Sequence, residues 1–335
     1  MKNIKFALVG ATGVVGEKAR EILEEKKLPI SEYKFFASKK SAGKKIKFMN
    51  KEYEIHELTE ESFDEGFDFA IFSAGGEVSK KYAPIASQKG CIVIDNSSTF
   101  RMNEDVPLIV PEVNEEEIKN HKGIIANPNC STIQAVVALK PLDDKYKIKR
   151  IIYSTYQAVS GAGMYGLKDL ESGVMNYKKE KYELEKFPYP IFDNCLPHID
   201  IFLENGYTKE EEKMINETKK ILKRPDLKVT ATTVRVPVTN SHSESINIEF
   251  ERKFELEDLI ETLKNSKGII VQNDYKKNEY PMPIYVTGHD EVFVGRIRRD
   301  FSLENGINIW VVADNIRKGA ASNAIQILEK LILEK

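Results

Sequence analysis

A short apolar run, residues 4–9, stops at three glycines spaced G-x-x-G-x-x-G, Gly10-Ala-Thr-Gly13-Val-Val-Gly16, and helical periodicity begins at once and lasts to about residue 26. A buried strand, a glycine turn and a helix in that order make the first βα unit of a dinucleotide-binding sheet. The glycines allow a tight turn, close backbone approach to a pyrophosphate and close helix–strand packing. The spacing differs from G-x-G-x-x-G, so position in the chain carries this reading; a simple tight turn is the alternative. Gly10, Thr12, Gly13, Val14, Val15 and Gly16 are the candidate cofactor contacts.

A second strand, residues 33–37, ends at Ser38-Lys-Lys-Ser41, where an NAD-preferring fold carries an acid for the ribose 2′-hydroxyl. Two lysines and two hydroxyls suit a 2′-phosphate, so Ser38, Lys40 and Ser41 point to NADP, against the alternative of a solvated basic turn. Residues 44–55 alternate around Asn50-Lys51 as an appended hairpin. Strands at 68–72 and 91–95 flank a helix at 78–89 and are followed by Ser73-Ala-Gly-Gly76 and Asn96-Ser-Ser-Thr-Phe-Arg101. Small polar groups and an arginine thus reach the edge where open α/β sheets bind ligands. Cys91, inside its strand, reads as core.

The next apolar run ends at Asn127-Pro-Asn-Cys130, and helical spacing starts immediately afterwards. Cys130 therefore opens a helix, where unpaired N–H groups and the helix dipole favour a thiolate. Asn129, Ser131 and Thr132 can cap the first turn. Taken alone the thiol reads more readily as a buried structural cysteine; its neighbours and its place at the end of a strand turn the reading toward a nucleophile.

Beyond this helix the pattern changes to long strands, at 150–157, 228–238, 245–251, 268–272, 292–299 and 308–313, with helices at 167–179, 209–222, 256–264 and 317–333. The fold class is α/β: a Rossmann-type dinucleotide-binding domain, residues 1–129 with 316–335, and an α+β domain, residues 130–315, with a mostly antiparallel or mixed sheet. Three constellations mark the second domain. Gln157-Ala-Val-Ser160-Gly161-Ala-Gly163 closes a strand; Arg235 lies within a strand with His242 in the following loop; Glu210-Glu-Glu-Lys213 starts a helix and by itself reads as a solvated charged face. His56, His121, His198 and His289 have no comparable setting.

With 50 Lys+Arg against 52 Asp+Glu, the formal charge of −2 gives no field favouring nucleic acid or an anionic membrane. There is no signal-peptide pattern and no bilayer-length apolar run, so a soluble cytoplasmic protein is expected. Three dispersed cysteines have neither disulfide-framework nor metal spacing; reduced thiols and no metal are expected.

In this order, these motifs closely resemble those of the aspartate-β-semialdehyde dehydrogenase family, end to end, and the likeness extends to Ser38-Lys-Lys-Ser-Ala-Gly43, Val110-Pro-Glu-Val-Asn114, Phe293-Val-Gly-Arg-Ile-Arg298 and Asp314-Asn315…Lys318-Gly-Ala-Ala321. The resemblance implies NADPH-dependent reductive dephosphorylation of L-aspartyl-4-phosphate to L-aspartate-4-semialdehyde, feeding lysine, threonine and methionine synthesis. It implies a homodimer, whose second domain carries catalysis and dimerisation. By matching motif, Cys130 would be the nucleophile, His242 the acid/base and Gln157 the residue orienting the carbonyl. Arg235 would hold the substrate carboxylate, Arg101 and Lys213 phosphate, and Glu210 the amino group, with Asn129 beside the substrate. Ser73, Ser160, Gly161 and Asn315 would join the cofactor contacts. Two departures stand out: Lys40 where many relatives have arginine, and Cys195 where alanine is commoner, which reads as a packing substitution.

The residue chemistry agrees: an acyl phosphate attacked by a thiolate gives a thioester that accepts hydride from a nicotinamide. N-acetyl-γ-glutamyl-phosphate reductase is the enzymatic alternative, less favoured by the Asn127–Cys130 turn and the Arg235…His242 pairing. A noncatalytic NADP(H)-responsive protein is the other, and would be expected to lack the thiol or imidazole.

Overall fold

The apolar runs separated by glycine turns assemble into two sheets. The computed structural model describes residues 3–176 and 184–333, and the chain divides into two compact units, Met1–Pro128 with Ala320–Lys335, and Asn129–Gly319.

In the first unit the strands are β1 (Lys5–Val9), β2 (Glu32–Ala37), β3 (Lys45–Phe48), β4 (Lys51–Glu57), β5 (Phe69–Phe72), β6 (Ile92–Asp95) and β7 (Ile124–Ala126), in the order β3-β4-β2-β1-β5-β6-β7. β1, β2, β4, β5, β6 and β7 run parallel, and β3 folds back on β4 as the expected hairpin. Because both faces are covered, the strands are almost continuously apolar. Phe6, Leu8, Phe35 and Ile71 pack with Ile22 of the helix Val14–Lys26 and with Ile325 and Leu328 of the helix Ser322–Leu333. Val9, Phe36, Phe72 and Val93 pack with Ala83 and Ala86 of the helix Gly76–Gln88 on the other face.

The chain leaves β1 for β2 on one side and later returns to β5 on the other, so the switch point falls at β1/β5. Gly10 has φ +85°, and a Cβ there would strike the carbonyl of Ser73 at the end of β5; a Cβ on Gly16 would strike the carbonyl of Gly10. Gly10 and Gly16 are thus required by approach distance. Gly13 opens the helix without a side-chain cap, leaving first-turn N–H groups for an anion.

In the second unit β8 (Ile148–Gln157), β9 (Lys228–Arg235), β10 (His242–Phe250), β11 (Ile269–Val271), β12 (Val292–Asp300) and β13 (Gly306–Ala313) are ordered β11-β12-β13-β10-β8-β9. The outer pairs are parallel and the central ones antiparallel, a mixed sheet. One face buries Ile151, Tyr153, Ile246, Ile248, Ile307 and Val311. The helix Cys130–Tyr146, buried from Ser131 through Leu139, packs on this sheet. Along the other face Tyr156 is exposed and stacks at a tilt on Trp310, 5.4 Å between ring centres.

Several boundaries differ from the sequence expectation. His242 begins β10 instead of lying in a loop, because the turn ends one residue earlier at Ser241 (φ +71°) and His242 already pairs with Ala313. Cys91 precedes β6 but is buried as expected. The helix expected at 167–179 spans Met164–Met175, and residues 177–179 of that expectation lie outside the described residues. The run expected as one helix from residue 317 opens with a π turn, Arg317–Ala321, in which the Gly319 N–H reaches the Asp314 carbonyl at 3.0 Å. Cys195 is exposed, so it fills no packing position. No helix among the described residues is long and apolar enough to cross a membrane.

Gly16→Ala should destabilise the first unit by about 1–3 kcal/mol, since the added methyl meets backbone that cannot yield cheaply. Urea unfolding of the two proteins measures this; equal midpoints would mean that the helix can shift off the turn.

Candidate active site

The register of the second sheet brings the expected residues to one edge. β8 ends at Gln157, which is paired with Arg235 at the end of parallel β9. β10 runs the opposite way from β8, with Ser243 opposite Tyr156, so its first residue, His242, comes to the same edge. β13 ends there too, at Ala313 opposite His242, and delivers Asp314 and Asn315. Strand ends converge because every hydrogen-bonded partner shares a register; the residues themselves are far apart in sequence.

Ala158 ties two of these side chains together. Its N–H donates to His242 Nδ1 at 3.0 Å and its carbonyl accepts from Arg235 Nη1 at 2.7 Å. The neutral tautomer that this requires carries its proton on Nε2. Burial, and then the nearby Arg235 cation, push His242 down to about 3, so the imidazole is neutral at physiological pH. Burial also lowers Arg235, opposed by Glu210 and Cys130. The following turn packs close: a Cβ on Gly161 would lie 3.0 Å from Arg235 Nη1 and 3.2 Å from His242 Cε1. Asn315 Nδ2 donates to Ser160 Oγ at 3.0 Å and Asn315 Oδ1 accepts from the Ser241 N–H at 2.9 Å, fixing that turn beside His242.

Asn129 is the N-cap of the helix that Cys130 opens. Its Oδ1 accepts from the N–H groups of Ser131 (3.0 Å) and Thr132 (3.3 Å), its Nδ2 donates to Glu210 Oε1 at 2.9 Å, and its own N–H donates to Glu217 Oε2 at 2.7 Å. Gln157 Nε2 donates to the same Glu210 oxygen at 3.1 Å, and Gln157 Oε1 accepts from Thr155 at 3.1 Å. Burial alone would raise the Glu210 carboxyl, but Lys213 and the Asn129 and Gln157 amides hold it down to about 2. Lys213 Nζ bridges Glu210 (3.0 Å) and Asp200 (2.7 Å), and these carboxylates keep it raised against burial. Cys130, partly buried, has the helix N-terminus behind it and Arg235 as an interacting cation, both favouring a thiolate.

Cys130, Asn129, Gln157, Ser160, Gly161, Glu210, Lys213, Arg235, His242 and Asn315 all belong to the second unit. The first unit carries Gly10 to Gly16, Ser38, Lys40, Ser41, Ser73 and Arg101. In it the Gly10 N–H is bonded to Phe36 at the end of β2 (2.8 Å), which places the exposed Ser38-Lys39-Lys40 turn next to the glycine turn. Arg101 is buried, with Nη2 on the Asn96 carbonyl at 3.0 Å.

The charged face expected at Glu210–Lys213 is in large part buried. Glu211 completes a capping box with Thr208 and accepts the Thr233 N–H at 3.0 Å, and Glu210 points to Asn129. Sequence reasoning passed over Glu217, Asp200, Ala158 and Gly319. Glu217 had a signal: with Glu210, Met214, Thr218 and Ile221 it falls on one helical stripe, and all five are buried.

Residues 5–121 match the family description "Semialdehyde dehydrogenase, NAD binding domain", and residues 139–318 match "Semialdehyde dehydrogenase, dimerisation domain". These define the class: a semialdehyde dehydrogenase with one domain for a dinucleotide and one for dimerisation. The aspartate-semialdehyde dehydrogenase of Aquifex aeolicus is 54% identical over 334 residues, covering 98% of each chain. Aspartate semialdehyde dehydrogenase II of Vibrio cholerae is 44% identical with a TM-score of 0.96 over 99% of both chains, and 0.94 in its complex with ASA, over 100% of this chain and 99% of the other. The enzyme of Candida albicans solved with NADP is 28% identical, with a TM-score of 0.76 over 99% of both chains. The chain belongs to the aspartate-semialdehyde dehydrogenase family.

Two residues along β10 from His242, on the same face, lies Glu244, fully buried opposite Thr155 and Val311. Neither carboxyl oxygen has a hydrogen-bond partner among the described residues, and burial lifts it well above the usual carboxylate range. Such a group favours the fold while protonated, so its contribution is complete below the unfolded value of about 4.3 and is lost as pH rises through the folded value. Glu244→Gln should therefore gain in melting temperature relative to wild type as pH is raised from 5 to 8. A difference that stays constant with pH in thermal melts would mean that the carboxyl is not held neutral.

Proposed function

We propose that the protein catalyses the NADPH-dependent reductive dephosphorylation of L-aspartyl-4-phosphate to L-aspartate-4-semialdehyde through a thioester on Cys130. The observation that carries this reading is the meeting of a helix-N-terminal thiol, an imidazole, an oriented amide and a guanidinium at one sheet edge, with an ionised buried carboxylate beside them. Family membership and the relatives' names support the same substrate.

The Cys130 thiolate attacks the acyl carbon, the C–S bond forms, and the C–O bond to phosphate breaks with the electron pair leaving on phosphate. Gln157 uses one Nε2 hydrogen on Glu210 and keeps the other for the carbonyl oxygen as negative charge develops there. Arg235 spends Nη1 on Ala158 and offers its remaining donors to the α-carboxylate. Glu210, ionised, binds the α-ammonium; Asn129 lines the same place through that carboxylate. For the acid/base role implied by the family, His242 would carry a second proton on Nδ1, releasing the Ala158 N–H; Nε2 can then give its proton to the oxygen as the thiohemiacetal forms and take it back as that collapses to aldehyde and thiolate. Arg101 and Lys213 take the phosphate role implied by the family.

The first unit fits a dinucleotide phosphate: a helix start whose N-cap, Gly13, has no side-chain cap, in a turn that Gly10 and Gly16 let pack tightly on its own backbone and on Ser73, with two exposed lysines at the end of β2. When bound, NADPH supplies the hydride. Ser38, Lys40 and Ser41 would hold its 2′-phosphate, and Ser73 would border the diphosphate. Ser160, Gly161 and Asn315 would complete the cofactor contacts. The sheet face that carries exposed Tyr156 and half-buried Ile152, Ser154, Ser245 and Trp310 would be the homodimer surface, in a protein working in the cytoplasm with no nucleic acid or membrane partner.

A phosphate-dependent assay with aspartate semialdehyde and NADP, with N-acetylglutamate semialdehyde as comparator, tests the substrate. Cys130→Ser should abolish turnover, because a hydroxyl has no comparable ionised fraction at neutral pH; activity within about tenfold of wild type would exclude Cys130 as nucleophile. NADP should exceed NAD in kcat/KM by about tenfold or more, through one or two exposed charge-assisted bonds. Lys40→Ala should narrow that ratio, most visibly at low ionic strength. An unchanged ratio would move the discriminating contact away from Lys40.

A further inference from the structure

Glu217 lies seven residues beyond Glu210 on the helix Lys209–Ile221, hence on the same face, and is 1% exposed. Its Oε2 accepts the Asn129 backbone N–H at 2.7 Å. Pro128 has no N–H, so this bond holds the last peptide before Cys130 at the point where the strand gives way to the helix. The side chain of the same asparagine is held separately, by Glu210 at Nδ2 and by the Ser131 and Thr132 N–H groups at Oδ1. The backbone bond fixes one end of Asn129 and the side-chain bonds fix the other, so its φ and ψ (−62°, 143°) are determined, and with them the direction in which Cys130 leaves. Gly319 packs closely on Cys130: a Cβ there would lie 2.8 Å from Cys130 Cβ. Cys130 thus has close-packed backbone on it and a clamped peptide before it.

We infer that Glu217 is a positioning residue for the reaction, holding the Asn129 peptide, and through it Cys130 Sγ, at the attack position without touching substrate. The inference rests on the reading of Cys130 as nucleophile. The reach of the acceptor, not the charge, does this: the bond needs an oxygen at that place, and an amide oxygen of the same length supplies one. A misplacement of about 1 Å costs on the order of a hundredfold in rate.

Two variants separate reach from charge in the full-length enzyme with NADP. Glu217→Gln keeps the reach and removes the charge; Glu217→Asp keeps the charge and withdraws the oxygen by one methylene. Steady-state kcat and KM for aspartate semialdehyde are measured beside thermal melts. Glu217→Gln should keep kcat within about fivefold of wild type, and Glu217→Asp should lose about 10–100-fold in kcat with KM changed less than about threefold. The inference falls if Glu217→Asp keeps wild-type kcat, if Glu217→Gln loses as much as Glu217→Asp, or if the losses appear in KM. Should Glu217→Asp not fold, Glu217→Leu replaces it, filling the volume without an acceptor and with the same expected kcat loss. Cys130→Ser, run in parallel, separates the two readings: if it is active, the nucleophile assignment fails, whereas an active Glu217→Asp beside a dead Cys130→Ser overturns the positioning role alone.

Discussion

The buried carboxylate of Glu210 is the contact on which the catalytic edge depends. One of its oxygens collects the amides of Asn129 and Gln157, and the other meets Lys213. A carboxylate this deep is costly unless it is paired and hydrogen-bonded, and here each oxygen is engaged by donors that themselves belong to the site. The group that the helix stripe buries is therefore also the group that sets the cap of the Cys130 helix and the Gln157 amide in one frame. Were it protonated, two amides would be left with one uncharged, weaker acceptor between them. The neighbouring ammonium and the two amides keep it ionised far into acid.

Around that contact the two sheets do different work. The parallel sheet of the first unit is a platform whose carboxyl edge turns on glycines, and it holds the helix Ser322–Leu333 as part of its own core. The mixed sheet of the second unit uses register: because β8 and β9 are parallel and β10 is antiparallel to β8, the ends of two strands and the start of a third supply amide, guanidinium and imidazole at one level. The helix from Cys130 to Tyr146 then lays the thiol against that level.

Much of this was legible in the sequence, for identifiable reasons. Glycine spacing after the first strand announces a backbone that must come close to something, and the structure names both partners, the carbonyls of Ser73 and of Gly10 itself. Asn127-Pro-Asn-Cys130 announces a strand-to-helix turn because proline ends one element and asparagine caps the next. What the sequence hid is mostly tertiary. Glu210 and Glu211 look solvated beside Glu212 and Lys213, and only packing against β9 and the Cys130 helix turns them inward. His242 looked like a loop residue because Thr-Asn-Ser precedes it, yet a single residue of left-handed backbone at Ser241 is enough to start the strand. The π turn at Arg317–Ala321 leaves no mark in periodicity, since one widened turn shifts the phase less than sequence variation does.

The peptide unit of Ala158 has a consequence for how such an enzyme can change. Its N–H orients the imidazole and its carbonyl orients the guanidinium, so one rigid plane serves both the group proposed to move a proton and the group proposed to grip the substrate. Any drift of sequence that tilts this plane, in the glycine-rich turn after it or in the strand before it, turns recognition and chemistry in the same sense. Selection acting on affinity alone has no separate handle here. A lineage adapting to a longer substrate would have to rebuild the grip from outside this plane, leaving Ala158 where it is.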